Sequence, residues 1–111
     1  MQFSDFQKQA KETVIFPEYG KLGGILYSTL EINDEAGEVA GKIKKIIRDE
    51  GGEITEEGAE KIVSEMGDVL FALATLTDQL GYNLDDVAKG NLKKLRDRAE
   101  RGKLKGDGDN R

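Results

Sequence analysis

Two short words in this chain carry acids at a spacing that could do chemistry: Glu35-Ala36-Gly37-Glu38 and Glu65-Met66-Gly67-Asp68. Each pair lies three residues apart in a segment whose apolar residues repeat with helical period. At about 100° per residue, positions i and i+3 share one face. If the two helices meet, four carboxylates converge. The chain has no histidine and no cysteine, so the donors gathered there are hard oxygens, a set suited to Mg²⁺ or Mn²⁺. The rest of the chain is then a frame for that site and for groups that bring a phosphorylated substrate to it.

The elements that must position these acids can be read from punctuation and period. Ser4 followed by Gln7 has the form of a capping box, opening a first helix over roughly Asp5 to Val14. Pro17 and Gly20 mark a turn. A second helix begins near Leu22 to Ile25 and runs to about Asp49, where Gly51-Gly52 stops it. Thr55 caps a third helix with Glu56 and Glu57 in its first turn, where the dipole favours acids. That helix ends at Gly81, and its apolar residues Ile62, Met66, Val69, Leu73, Leu76 and Leu80 alternate at four and three. Asn83, with Asp86 three positions on, caps a fourth helix that Gly102 ends. The expectation is one all-α, four-helix domain over residues 1–102 with two long central helices. A basic, glycine-rich tail follows over 103–111, either disordered or folded over bound phosphates.

On helical wheels the acids border the core. The apolar stripe of the second helix is Ile25, Ile32, Val39, Ile43 and Ile46; Glu35 falls within it and Glu38 about 100° away, with Glu31 and Lys42 on the same flank. Glu65 and Asp68 lie successively farther along one side of the third helix's stripe. A carboxylate that close to a core costs several kcal/mol unless a cation compensates it. Either a metal does so, or a base such as Lys42 or Lys61. A second apolar face, Leu22, Leu26, Leu30 and Ile47, has Gly37 and Gly41 among it. These glycines cost about 1 kcal/mol each relative to alanine. They accommodate either a bulky side chain of the same chain or a second copy, so a dimer or larger is expected.

Composition excludes several classes. A length of 111 residues allows one domain with one core. A net charge of −5 gives no electrostatic footprint for nucleic acid, although Lys and Arg outnumber Asp and Glu after Lys89. No apolar run approaches the roughly 20 residues of a membrane span, and the first residues lack a signal-peptide pattern. Without cysteine there is no disulfide framework, which is compatible with the cytoplasm. Without histidine there is no Ser-His catalysis and no usual zinc site. The seven aromatics are scattered and mark no stacking pocket.

The order Asp34-Glu35-x-x-Glu38, 26 residues, then Glu65-x-x-Asp68 resembles the signature of the MazG family of nucleoside triphosphate pyrophosphohydrolases. The words LEINDEAGEVAGKIKK and EMGDVLFALATLTDQLG are similar to that family's second and third helices, and Asn91-x-x-Lys94-x-x-x-Arg98 to its fourth. The resemblance implies an all-α pyrophosphatase fold, a homodimer or homotetramer, and Mg²⁺-dependent cleavage of NTP or dNTP to monophosphate and pyrophosphate. It implies Glu35, Glu38, Glu65 and Asp68 as metal ligands, and Asn91, Lys94 and Arg98 as groups that meet the phosphates. Asp34 stands where the family more often has Glu.

With no histidine available, a carboxylate is the natural acceptor of the attacking water's proton, and Glu38 is assigned that role beside Glu35. Arg98 and Lys94, with Lys42 and Lys45, would hold the triphosphate, and Asn91 would orient it. Two other readings fit the same residues: a hydrolase of ppGpp or of a modified nucleotide, and a non-enzymatic helical interaction module whose acids are a solvated or paired face.

Overall fold

The structure, a computed structural model, describes residues 1–109 and Arg111. Four helices follow one another: α1 (Phe3–Lys11), α2 (Leu22–Asp49), α3 (Glu56–Gln79) and α4 (Leu84–Glu100). There is no strand among the described residues. The all-α expectation holds, and caps explain both ends of α3 and the start of α4. Thr55 Oγ1 accepts from the Gly58 N–H at 3.0 Å, and Asn83 Oδ1 accepts from the Asp85 N–H at 2.9 Å. Each satisfies a first-turn donor that has no partner within its helix. Gly81 closes α3 at φ 79°, the left-handed conformation that glycine adopts without steric cost.

The start of α1 differs from the sequence expectation. The helix spans Phe3–Lys11, and the Gln2 N–H donates to Asp5 Oδ2 at 2.9 Å. Ser4 is therefore inside the helix, its N–H donating to Asp85 Oδ2 at 3.2 Å. Gln7 is buried: its Nε2 donates to the Tyr82 carbonyl at 2.9 Å, and its Oε1 accepts from the Leu84 N–H at 2.7 Å. A buried amide satisfied at both ends holds α1 on the entry to α4, and this long-range pairing takes Gln7 away from any capping role.

The α2–α3 pair is an antiparallel hairpin, turned by Gly51 and Gly52 at φ 64° and 79°. Ser28 lies opposite Thr75, their hydroxyls 2.9 Å apart and buried. Farther along, Glu35 faces Asp68, and nearer the turn Ile46 faces Gly58. Gln79 Nε2 donates to Ser28 Oγ at 2.8 Å and to the Gly24 carbonyl at 3.1 Å. Gly24 is required there: a Cβ would stand 2.4 Å from the Glu18 carbonyl oxygen. Small residues thus bring the two helices together and fix their register.

The core is small. Ala10, Ala74 and Leu84 are buried, with Phe6, Leu70 and Phe71 packed around them. The stripe expected to be the core of α3 is only partly covered: Met66, Leu73 and Leu80 are exposed, and Ile43 of the α2 stripe is exposed as well. The second α2 face is barer still, with Leu22, Leu30 and Ile47 at 80%, 60% and 66% exposure. A Cβ at Gly37 or Gly41 would meet nothing within 4 Å among the described residues, so no described side chain of the same chain fills the space over them. α4 packs on α1 and α3 and makes no contact with α2 among the described residues. The radius of gyration is accordingly 16.9 Å, against about 13 Å for a compact chain of this length.

Candidate metal centre and phosphate-binding groups

The hairpin register brings Glu35 of α2 to Glu65 and Asp68 of α3. One carboxylate oxygen from each lies within 4.8 Å of the others. Oxygens sharing an octahedral Mg²⁺ at about 2.1 Å stand roughly 3–4 Å apart, so small side-chain rotations let one cation take all three. The donor set, oxygen only and from two rigid helices, fits such an ion.

Burial raises the Glu35 carboxyl above its ordinary value, and the negative charges of Asp68, Asp34, Glu65 and Glu38 raise it further. Repulsion of this kind within one pocket is what a divalent cation relieves. The fourth expected ligand, Glu38, is exposed and lies outside the three-oxygen group, although its charge reaches Glu35. Glu31, one turn before Glu35, has Oε1 buried with no hydrogen-bond partner among the described residues. Its carboxyl is raised by burial and by Asp34. In the sequence it stood only as a neighbour on the flank; an acid four positions before the motif was the available signal.

Of the cations, Lys42 Nζ lies 3.8 Å from Glu65 Oε1, so it balances the acidic group from within. Lys42 also lines a depression of about 250 Å³ between the C-terminal half of α2 and the start of α3, with exposed Lys45 and with Lys61. Lys61 itself pairs with Glu57 at 3.3 Å. The expected groups lie on α4, which packs on α3 but does not touch α2, so within one chain they do not meet the helix that carries Glu35. Asn91 is exposed, Lys94 half-buried and Arg98 buried. Lys94 and Arg98 both reach Asp109 of the segment after α4. Of residues 103–111, Asn110 lies outside the described residues; Lys103, Gly108 and Asp109 are hydrogen-bonded back to Lys94 or Arg98 of α4. The aromatics are less scattered than the sequence implies: Phe16 stacks on Tyr27 at 4.3 Å between centroids and lies 5.6 Å from Tyr19.

The class these features define is an all-helical hairpin with converging carboxylates and a lysine beside them, a donor set that fits a divalent cation. Comparison with known proteins gives the family. The pattern of the MazG nucleotide pyrophosphohydrolase domain matches residues 26–102, and the chain belongs to that family. It is 42% identical to the Gene 37 protein of Mycobacterium phage L5 over 109 residues, 96% of each chain. It is 34% identical to Uncharacterized protein YvdC of Bacillus subtilis (strain 168) over 108 residues, 90% of this chain and 98% of that one. No solved structure matches it. No helix is long and apolar enough to cross a membrane among the described residues.

Proposed function

We propose that this protein is a nucleoside triphosphate pyrophosphohydrolase, splitting NTP or dNTP and water into the monophosphate and pyrophosphate with the help of Mg²⁺, or of Mn²⁺ in its place. The observation that carries this reading is the group formed by Glu35, Glu65 and Asp68, the residues through which the sequence resembles the family's signature. Those three carboxylates would hold the ion, and Glu38 would complete the set from the next turn of α2. A bound Mg²⁺ would supply charge neutralisation at the phosphate oxygens and Lewis acidity toward the attacking water.

The chain's own groups do the rest. Glu38, solvent-facing and without a cation partner among the described residues, takes the proton from water. Lys42, 3.8 Å from Glu65 Oε1, would be released toward phosphate were that carboxylate committed to a metal, and Lys45 would add a second charge on the same helix. Positioning and electrostatics of this sort dominate phosphoryl chemistry. Lys94 and Arg98 grip the polyphosphate and Asn91 orients it.

Since α4 lies off α2 within one chain, a second copy supplies the juxtaposition. The bare α2 face and the apolar groove lined by Val39, Met66 and Leu73 are the surfaces we assign to a homodimer or homotetramer. We assign the enzyme to the cytosol. Incubation with each NTP and dNTP plus Mg²⁺, with products separated by ion exchange, should yield monophosphate and pyrophosphate. Release of diphosphate and orthophosphate, or no turnover of any nucleotide, overturns the proposal.

A further inference from the structure

The segment after α4 is basic in composition, yet its contact with α4 is made by an acid. Asp109 Oδ1 accepts from Lys94 Nζ at 3.2 Å and lies 3.4 Å from Arg98 Nη2. The same Nη2 donates to the Asp109 carbonyl at 2.9 Å and toward that of Gly108 at 3.3 Å. Arg111 keeps the loop closed, its guanidinium donating to the carbonyls of Lys103, Leu104 and Gly108 at 3.1, 3.3 and 2.7 Å. Glycines at 106 and 108, with φ of 138° and 80°, allow the backbone to turn back.

From these contacts we infer that Asp109 is a built-in competitor: it occupies the anion site of Lys94 and Arg98, and a polyphosphate must displace the segment to bind there. The inference rests on the reading of Lys94 and Arg98 as phosphate ligands.

The contact is shaped to yield. Arg98 is only 5% exposed, yet its Nε has no partner among the described residues. Asp109 therefore meets one nitrogen of a guanidinium fork that is built for two parallel bonds. A phosphate brings more charge and three oxygens, enough to meet Nε and Nη2 together. Lys94, and after it Arg98, holds the Asp109 carboxyl below its ordinary range, so it is ionised at neutral pH and competes as an anion. Residues 103–109 are all exposed, and a segment with little buried surface opens at low cost.

The test is titration of the full-length, metal-free protein with inorganic tripolyphosphate, followed by calorimetry and by the amide NMR signals of Gly106, Gly108 and Asp109. In the wild type those signals should move to sharp, random-coil positions as tripolyphosphate binds. Asp109→Asn should show them there without ligand and bind tripolyphosphate at least threefold more tightly. Arg111→Ala, which opens the loop without touching either cation, should do the same. Absence of tripolyphosphate binding, binding that leaves the three signals unmoved, or equal affinity in wild type and both variants would each overturn the inference. Because no nucleotide is turned over here, a protein that hydrolyses none but still exchanges its segment for tripolyphosphate would refute the proposed activity alone.

Discussion

Replacing Glu35 by Gln should act in opposite directions on the metal-free and metal-loaded protein. In the metal-free protein Glu35 faces Glu65 and Asp68 with ligand oxygens within 4.8 Å. Two unit charges at that separation repel by ~0.9 kcal/mol in the dielectric of water. Lys42 offsets part of the charge on Glu65, and exposed Asp68 is screened by salt. A net gain of about 1 kcal/mol for Glu35→Gln follows, which in a domain of this size raises Tm by roughly 4–8 °C.

The pH dependence has a definite sign. The folded-state pKa of Glu35 is raised above the ordinary 4.5, so its ionisation penalises the fold above the raised value and vanishes as pH falls toward 4.5. The advantage of Glu35→Gln should therefore be full at pH 8 and shrink on acidification. With Mg²⁺ the order reverses. An ion at ten times its Kd stabilises the wild type by RT ln(1 + L/Kd), about 1.4 kcal/mol, or roughly 6–10 °C, and Glu35→Gln should lose most of that shift. The assay is thermal unfolding followed by circular dichroism, in EDTA and in a Mg²⁺ or Mn²⁺ series. A variant that melts below wild type in EDTA at pH 8, or a wild type indifferent to both metals, would refute the reasoning.

Two further outcomes test the frame. Gln7→Ala removes the two hydrogen bonds that Gln7 makes to the entry of α4 and leaves the Tyr82 carbonyl and the Leu84 N–H without them; urea unfolding should show a loss of about 1–3 kcal/mol, and a loss below about 0.5 kcal/mol, the low end for a single hydrogen bond, would deny that this contact anchors the helix. Leu30→Glu places a charge on the bare α2 face, 60% exposed in the single chain. Light scattering should find the wild type as a dimer or larger and the variant shifted toward monomer with its helix content kept, whereas identical masses would remove that face from the interface.

Much of the local structure is legible in the sequence because its causes are local. Thr55, Asn83 and Gly81 stop and start helices through bonds to backbone within a few residues, and the spacing of Glu65 and Asp68 sets them on one face whatever the helix packs against. The choice of which face turns inward is different in kind. The regular stripe of Met66, Leu73 and Leu80 looks like a core, yet in the single chain the buried line of α3 includes Ala72 and Thr75. The hairpin is closed by small side chains and the Ser28–Thr75 bond, which allow a nearer approach than leucine would.

Periodicity thus determined that there are four helices and that two of them carry acids in pairs. Only the tertiary structure decided that Glu35 meets Glu65 and Asp68, that Gln7 serves α4 and not its own helix, that α4 stays off α2, and that Arg98 closes on Asp109. Each of these depends on how elements approach one another in space. Helical period fixes directions around an axis but says nothing about the distance or the identity of what lies across from it.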